Sequence, residues 1–105
     1  MAKGKKTYAN VRKIFKQDFE DSEFLFHYEE QRARSQLAMA VIKARKAAGL
    51  TQAELADVVE TTQSAIARLE SGNDSRMPSL PLLARIAAAT GKRLIVGFEK
   101  LRVAG

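Results

Sequence analysis

The chain has 105 residues and a formal net charge of +6, eighteen Lys and Arg against twelve Asp and Glu, and 46% of it is apolar. That apolar share excludes wholesale disorder, and the length allows one domain with an appendage rather than two full domains. With no cysteine and a single histidine, His27, disulfides, thiolate nucleophiles and His-rich metal clusters are excluded, and neither a metal nor a cofactor is expected. The basic start MAKGKK leads into no apolar stretch, and no run is long enough to cross a bilayer. The expectation is a small basic protein of the cytoplasm. A core built from so few residues is marginal, which makes oligomerisation a natural source of further burial.

The charge is unevenly placed. Residues 1–20 carry six bases and two acids, residues 36–50 three bases and no acid, and residues 73–105 six bases and two acids. By contrast, residues 51–72 hold only Arg68 against four acids, and residues 21–35 hold two bases against four acids. A basic arm and a basic tail therefore flank an acidic middle.

In chain order, Val11, Ile14, Phe15 and Phe19 fit one helical face behind an Asn10 cap. Phe24, Leu25 and Tyr28 line another face, one that can run on into the next helix. Four of the five phenylalanines lie in this arm, so it either packs on the domain or folds onto a partner. Residues 33–48 place Leu37, Val41, Ala44 and Ala48 on one helical stripe, closed by the left-handed residue Gly49 with Leu50 folding back. Thr51-Gln52-Ala53-Glu54 fits a capping box, and the short helix behind it turns Leu55, Ala56 and Val59 inward. Thr61 or Thr62 caps a third helix with Ile66 and Leu69 inward, ending near Gly72. After a polar loop, Ser79 caps a fourth helix that tolerates Pro81 in its first turn and buries Leu83, Ile86 and Ala87 before Thr90-Gly91. Residues 94–98, LIVGF, are β-branched and aromatic with Leu94, Val96 and Phe98 on one face. A lone strand there has no sheet to join. It can pair with its copy in a second chain, or lie extended on its own helices.

The informative stretch is residues 52–69, QAELADVVETTQSAIARL. Two short helices crossing at a small residue, Ala56, describe a helix-turn-helix, although an ordinary helical hairpin shares that pattern. The outward face of the second helix separates the two. Thr62, Gln63, Ser64 and Arg68 suit base edges, since Gln can present paired amide groups to adenine and Arg can fork onto guanine. A merely solvated face would more often carry Glu and Lys.

GLTQAELADVVETTQSAIARLESG resembles the XRE-type helix-turn-helix of phage repressors, in its TQ-x-ELA opening and in the TTQ start of its second helix, over roughly residues 36–90. The N-terminal arm, this domain and the closing GKRLIVGFE together resemble HigA-type antitoxins of bacterial toxin–antitoxin modules. The resemblance implies an all-α, phage-repressor-like helix-turn-helix bundle. Its organisation would be a helical or flexible arm at 1–32, a DNA-binding domain at 33–91, and a strand and tail at 92–105 for dimerisation. It further implies that Gln63, Ser64 and Arg68 read bases, that Gln52, Thr62, Ser71, Asn73 and Arg76 touch the DNA backbone, and that Arg45 and Glu70 form a structural ion pair. The arm, through Val11, Ile14, Phe15, Phe19, Phe24 and Tyr28, would hold a cognate RelE-like ribonuclease toxin. The partners implied are an inverted-repeat operator in double-stranded DNA, that toxin and a second copy of the chain, in a protein associated with the bacterial nucleoid. Glu60 departs from the pattern, standing where the turn usually has glycine.

Three other readings follow from the residues. A stand-alone repressor would pack its aromatic arm on its own domain. An enzyme would need a metal cluster or an acid–base pair with a nucleophile; His27 among scattered carboxylates supplies neither, so no catalytic residue is assigned. A pure interaction adaptor would lack sequence-specific DNA binding.

Overall fold

Capping and turn chemistry determine where each helix stops. The computed structural model describes residues 19–74 and 76–101, with side chains from Ser22 onward, and in it four helices follow one another: α1 Phe19–Ala47, α2 Gln52–Val58, α3 Gln63–Ser71 and α4 Leu80–Ala89. Nothing between Phe19 and Ala47 is Gly or Pro, so α1 runs unbroken through the boundary expected at residue 33. Its 29 residues span about 43 Å at 1.5 Å per residue. Val11, Ile14 and Phe15 lie outside the described residues, and so does the side chain of Phe19.

All four helices end where the chain turns left-handed, and after α1, α2 and α4 two amides cap the last carbonyls. After α1, Gly49 has φ 72°, its N–H donates to the Lys46 carbonyl, and the Leu50 N–H donates to the Arg45 carbonyl. After α2 the left-handed residue is Glu60, at φ 62°, with Thr61 N–H donating to the Ala56 carbonyl at 2.9 Å. Gly72 and Gly91 end α3 and α4. The starts are equally specific. Thr51 Oγ1 accepts from the Glu54 amide at 3.0 Å while Glu54 Oε1 accepts from the Thr51 amide at 2.9 Å, which completes the capping box. Thr62 and Ser79 cap α3 and α4 through the amides of Ala65 and Leu82.

The core is small. Val41 of α1, Leu55, Ala56 and Val59 at α2, Ile66 of α3 and Ile86 of α4 are buried together. Leu37, Leu50, Leu69, Leu82 and Ala89 pack around them. Three details differ from the periodicity. Ala48 is exposed because the chain has already left the helix there. Ala38 is buried beside Val41, where α1 meets the end of α3. On α4 the inward stripe is Leu82, Ile86 and Ala89, spaced i, i+4 and i+7, rather than Leu83, Ile86 and Ala87.

Gly72 is favoured by its φ of 72°, and it lies at the close junction of α3 with α1. A Cβ there would sit 3.6 Å from Ala38 Cβ and 3.8 Å from Ser35 Cα, so α3 ends flush against α1. Gln31 Nε2 donates to the Gly72 carbonyl at 3.2 Å and ties the same junction. On the other side, Arg85 Nε of α4 donates to the Val59 carbonyl at 3.2 Å, which satisfies an acceptor freed by the end of α2.

Residues 94–98, expected as a strand, form no ladder within the chain, and no strand occurs among the described residues. A strand needs a second backbone to accept its N–H groups, and the helical bundle offers none.

Glu60 carries a Cβ in a backbone region that disfavours it by roughly 1 kcal/mol. Glu60→Gly is therefore expected to raise stability by about that amount, a gain of about 4–8 °C in melting temperature for a domain this small. A thermal melt followed by circular dichroism checks it, and an unchanged or lowered melting temperature contradicts the strain.

Candidate nucleic-acid interface

The interface is built outward from a nearly buried ion pair. Arg45, in the last turn of α1, meets Glu70, in the last turn of α3, in a two-pronged contact. Nε donates to Oε2 at 2.7 Å and Nη2 donates to Oε1 at 2.9 Å. The two side chains are only 11% and 5% exposed. Arg45 Nη1 also donates to the Leu50 carbonyl at 2.9 Å, so one guanidinium fastens α1, the following turn and α3. Burial would push the Glu70 carboxyl up, but hydrogen bonds from Arg45 and Gln52 and the nearby charges of Arg45 and Lys46 outweigh it, and the group titrates below its ordinary value. The hydrogen bond to Glu70 holds Arg45 above its own.

From Glu70 a chain of amides leads to the surface. Gln52, the first residue of α2, donates through Nε2 to Glu70 Oε1 at 3.0 Å. Its Oε1 accepts from Nε2 of Gln63, the first residue of α3, at 2.9 Å. Each amide is thereby oriented by the one beneath it. Gln63 is exposed and keeps its carbonyl oxygen and one N–H free to meet a base edge. Ser64 and Arg68 are exposed on the same helix. Thr62 is exposed too; its hydroxyl oxygen caps α3, which leaves the O–H to donate.

Past α3 the loop folds on itself. Ser71 Oγ donates to the Arg68 carbonyl at 2.7 Å and accepts from the Asn73 amide at 3.2 Å, so this hydroxyl is committed mainly to the chain. Asp74 Oδ1 accepts from the Arg76 backbone at 3.1 Å and from Arg76 Nε at 3.4 Å. Its Oδ2 lies 3.5 Å from Arg68 Nε. The backbone hydrogen bond from Arg76 leads the influences that hold the Asp74 carboxyl below its ordinary value, ahead of the charges of Arg76 and Arg68. Thr62, Gln63, Ser64, Arg68, Ser71, Asn73 and Arg76 thus fall on α3, its leading edge and the loop behind it, and Gln52 joins them from the start of α2 through Gln63.

The remaining sequence-based candidates lie elsewhere. Phe24 is 73% and Tyr28 56% exposed on the N-terminal half of α1, beyond the stretch that packs on α3. Leu94 is half-buried, while Val96 and Phe98 stand in solvent. Arg32 and Glu99 approach to 4.0 Å, and Tyr28, Glu29, Arg32, Glu99, Lys100 and Leu101 line one shallow cleft, so the tail runs beside that half of α1. Sequence reasoning missed Gln31, Arg85 and Asp74. For Asp74 a local signal existed, because Asp two residues before a residue whose amide it can bind is a common turn pattern. For Gln31 and Arg85 none did, since their partners lie 41 and 26 residues away. Among the described residues, no group of three or more His, Cys, Asp or Glu is placed to hold a metal ion, and no helix is long and apolar enough to cross a membrane.

Removing the Glu70 carboxylate leaves Arg45 largely buried without its partner. Glu70→Ala is expected to cost about 3–5 kcal/mol in urea denaturation. The Glu70 carboxyl titrates lower when folded than when unfolded. Its contribution is therefore complete above the unfolded value, near pH 4.3, and is lost as pH falls through the folded one. Glu70→Gln should accordingly flatten the fall of stability with acid below about pH 4.3; an unchanged acid limb contradicts the pairing.

A comparison with curated proteins found no match, and a comparison with solved structures found none. A comparison with protein families matched the helix-turn-helix family HTH_3 over residues 41–96, from the second half of α1 through α4 and into the tail. That match covers more than half of the chain, and it spans the crossed helices, the amide chain and the exposed face of α3: the protein belongs to the HTH_3 helix-turn-helix family, whose members bind double-stranded DNA as transcriptional regulators.

Proposed function

We propose that this regulator is the DNA-binding antitoxin of a toxin–antitoxin pair, resembling HigA, which represses its own operon and neutralises a RelE-like ribonuclease toxin. In this reading the N-terminal end of α3 enters the major groove, where Gln63 and Ser64 meet base edges and Arg68 reads one turn further along. Gln52, Thr62, Ser71, Asn73 and Arg76 hold the phosphates and fix the register. Two copies, paired through residues 94–98, set their recognition helices about 34 Å apart on an inverted repeat. The observation that carries the antitoxin reading over a stand-alone repressor is α1 itself. It extends past the bundle and leaves Phe24 73% exposed, where a self-contained repressor would bury such a ring.

Two measurements test the proposal. In a mobility shift on the protein's own promoter, Gln63→Ala and Arg68→Ala should each weaken binding by about 1–3 kcal/mol and relax the preference at one position. Unchanged affinity and preference in both would sink the assignment of α3. For the toxin, Phe24→Asp combined with Tyr28→Asp should abolish co-purification with the product of the adjacent reading frame while leaving promoter binding intact. Both positions are exposed, so the fold tolerates the change. If no adjacent product co-purifies with the unaltered chain, the protein is a stand-alone repressor.

A further inference from the structure

An acid on a DNA-facing loop repels phosphate, and Asp74 stands on the loop that carries Asn73 and Arg76. Its two carboxylate oxygens are divided between two arginines: Oδ2 faces Nε of Arg68 at 3.5 Å, and Oδ1 faces Nε of Arg76 at 3.4 Å. The carboxylate is anchored in turn, because Oδ1 also accepts the Arg76 backbone amide at 3.1 Å and the side chain is only 22% exposed. Both arginines are far more open, at 47% and 70%. Without a partner, such long side chains would sample many rotamers, and part of any contact with DNA would be lost in ordering them. The contacts fall on the Nε edge of each guanidinium. The shortest approach of the carboxylate to each guanidinium is at Nε, and among the described residues no hydrogen bond engages the Nη groups of either arginine, so the forked ends that grip guanine or phosphate can still donate.

We propose that Asp74 is a specificity-determining positioning residue. It buttresses Arg68 for base reading and links it to Arg76, so that the base contact and the phosphate contact are made as one unit. The proposal rests on the reading of Arg68 as a base contact. The negative charge lowers attraction to DNA of any sequence, and in exchange it presets the direction of the one arginine on α3. Asp74 touches no base in this arrangement; it acts through Arg68.

The test is selection of a randomised duplex library by the full-length chain and by Arg68→Ala, Asp74→Asn and Arg76→Ala, followed by titration on the selected site and on a scrambled one. Asparagine keeps an oxygen for the Arg76 amide, so the loop retains its turn. Asp74→Asn should lose preference at the position that Arg68→Ala also loses, with the ratio of site to scrambled affinity falling about tenfold and scrambled affinity rising. Arg68→Ala and Arg76→Ala should be non-additive in the native chain and additive once Asp74 is Asn. If Arg68→Ala relaxes a position and Asp74→Asn leaves it intact, the positioning role is overturned. A loss spread over all positions together with a lowered melting temperature overturns it in favour of a loop-folding role. If Arg68→Ala changes no position, the reading of Arg68 fails first, and the proposal falls with it.

Discussion

The contact between Arg45 and Glu70 is the constraint on which the arrangement depends. It joins residues 25 apart in sequence, in the last turns of two helices. A paired charge this deep gains little over a well-packed apolar pair, because desolvation offsets most of the attraction. Its value here is geometric. The guanidinium has donors for three purposes, and it places two on the Glu70 carboxylate and one on the Leu50 carbonyl, at the turn that begins α2. The carboxylate retains capacity to accept from Gln52, and Gln52 passes that orientation to Gln63. The side chain that opens α3 is thus oriented from the protein interior outward, which would limit the ordering left to be done on DNA if α3 reads bases as proposed.

Helix endings complete the positioning. Four left-handed turns change the direction of the chain within two or three residues, and three of them are glycines. The fourth, Glu60, lies in the turn between α2 and α3, where the angle between the two helices is fixed. The strain is tolerated because Val59, buried next to it, gives its carbonyl to Arg85, and because the Thr61 amide still reaches the Ala56 carbonyl. Packing at Ala56 and Val59 outweighs a local preference worth about 1 kcal/mol.

Charge and selectivity occupy different parts of the molecule. The bases outnumber the acids in the flanks, whereas three of the four acids of the middle segment have separate structural positions: Glu54 completes a capping box, Glu60 occupies a turn and Glu70 holds Arg45. The outward side of α3 is left with amides, hydroxyls and one arginine. In the proposed reading, long-range attraction to a polyanion comes from the flanks and is screened by salt, while short-range hydrogen bonds from oriented neutral groups would discriminate between sequences. The apolar surface on α1 and the tail lies apart from both.

Sequence alone determined the features governed by neighbours along the chain. The Thr51–Glu54 box, the Ser79 cap, a cap at Thr61 or Thr62, the glycine stops and the inward Leu55, Val59 and Ile66 were legible, because each depends on residues within about one helical turn, while the turn position of Glu60 came from the resemblance. Tertiary structure decided what depends on meetings across the chain. It rotated the inward stripe of α4 onto Leu82 and Ala89, and placed Gln31 on Gly72, Arg85 on Val59 and Asp74 between two arginines. It also left residues 94–98 without a ladder, since strand propensity cannot act without a second backbone. Local spacing encodes helix periodicity and capping. Which side chains converge on one carboxylate is set by how the helices pack.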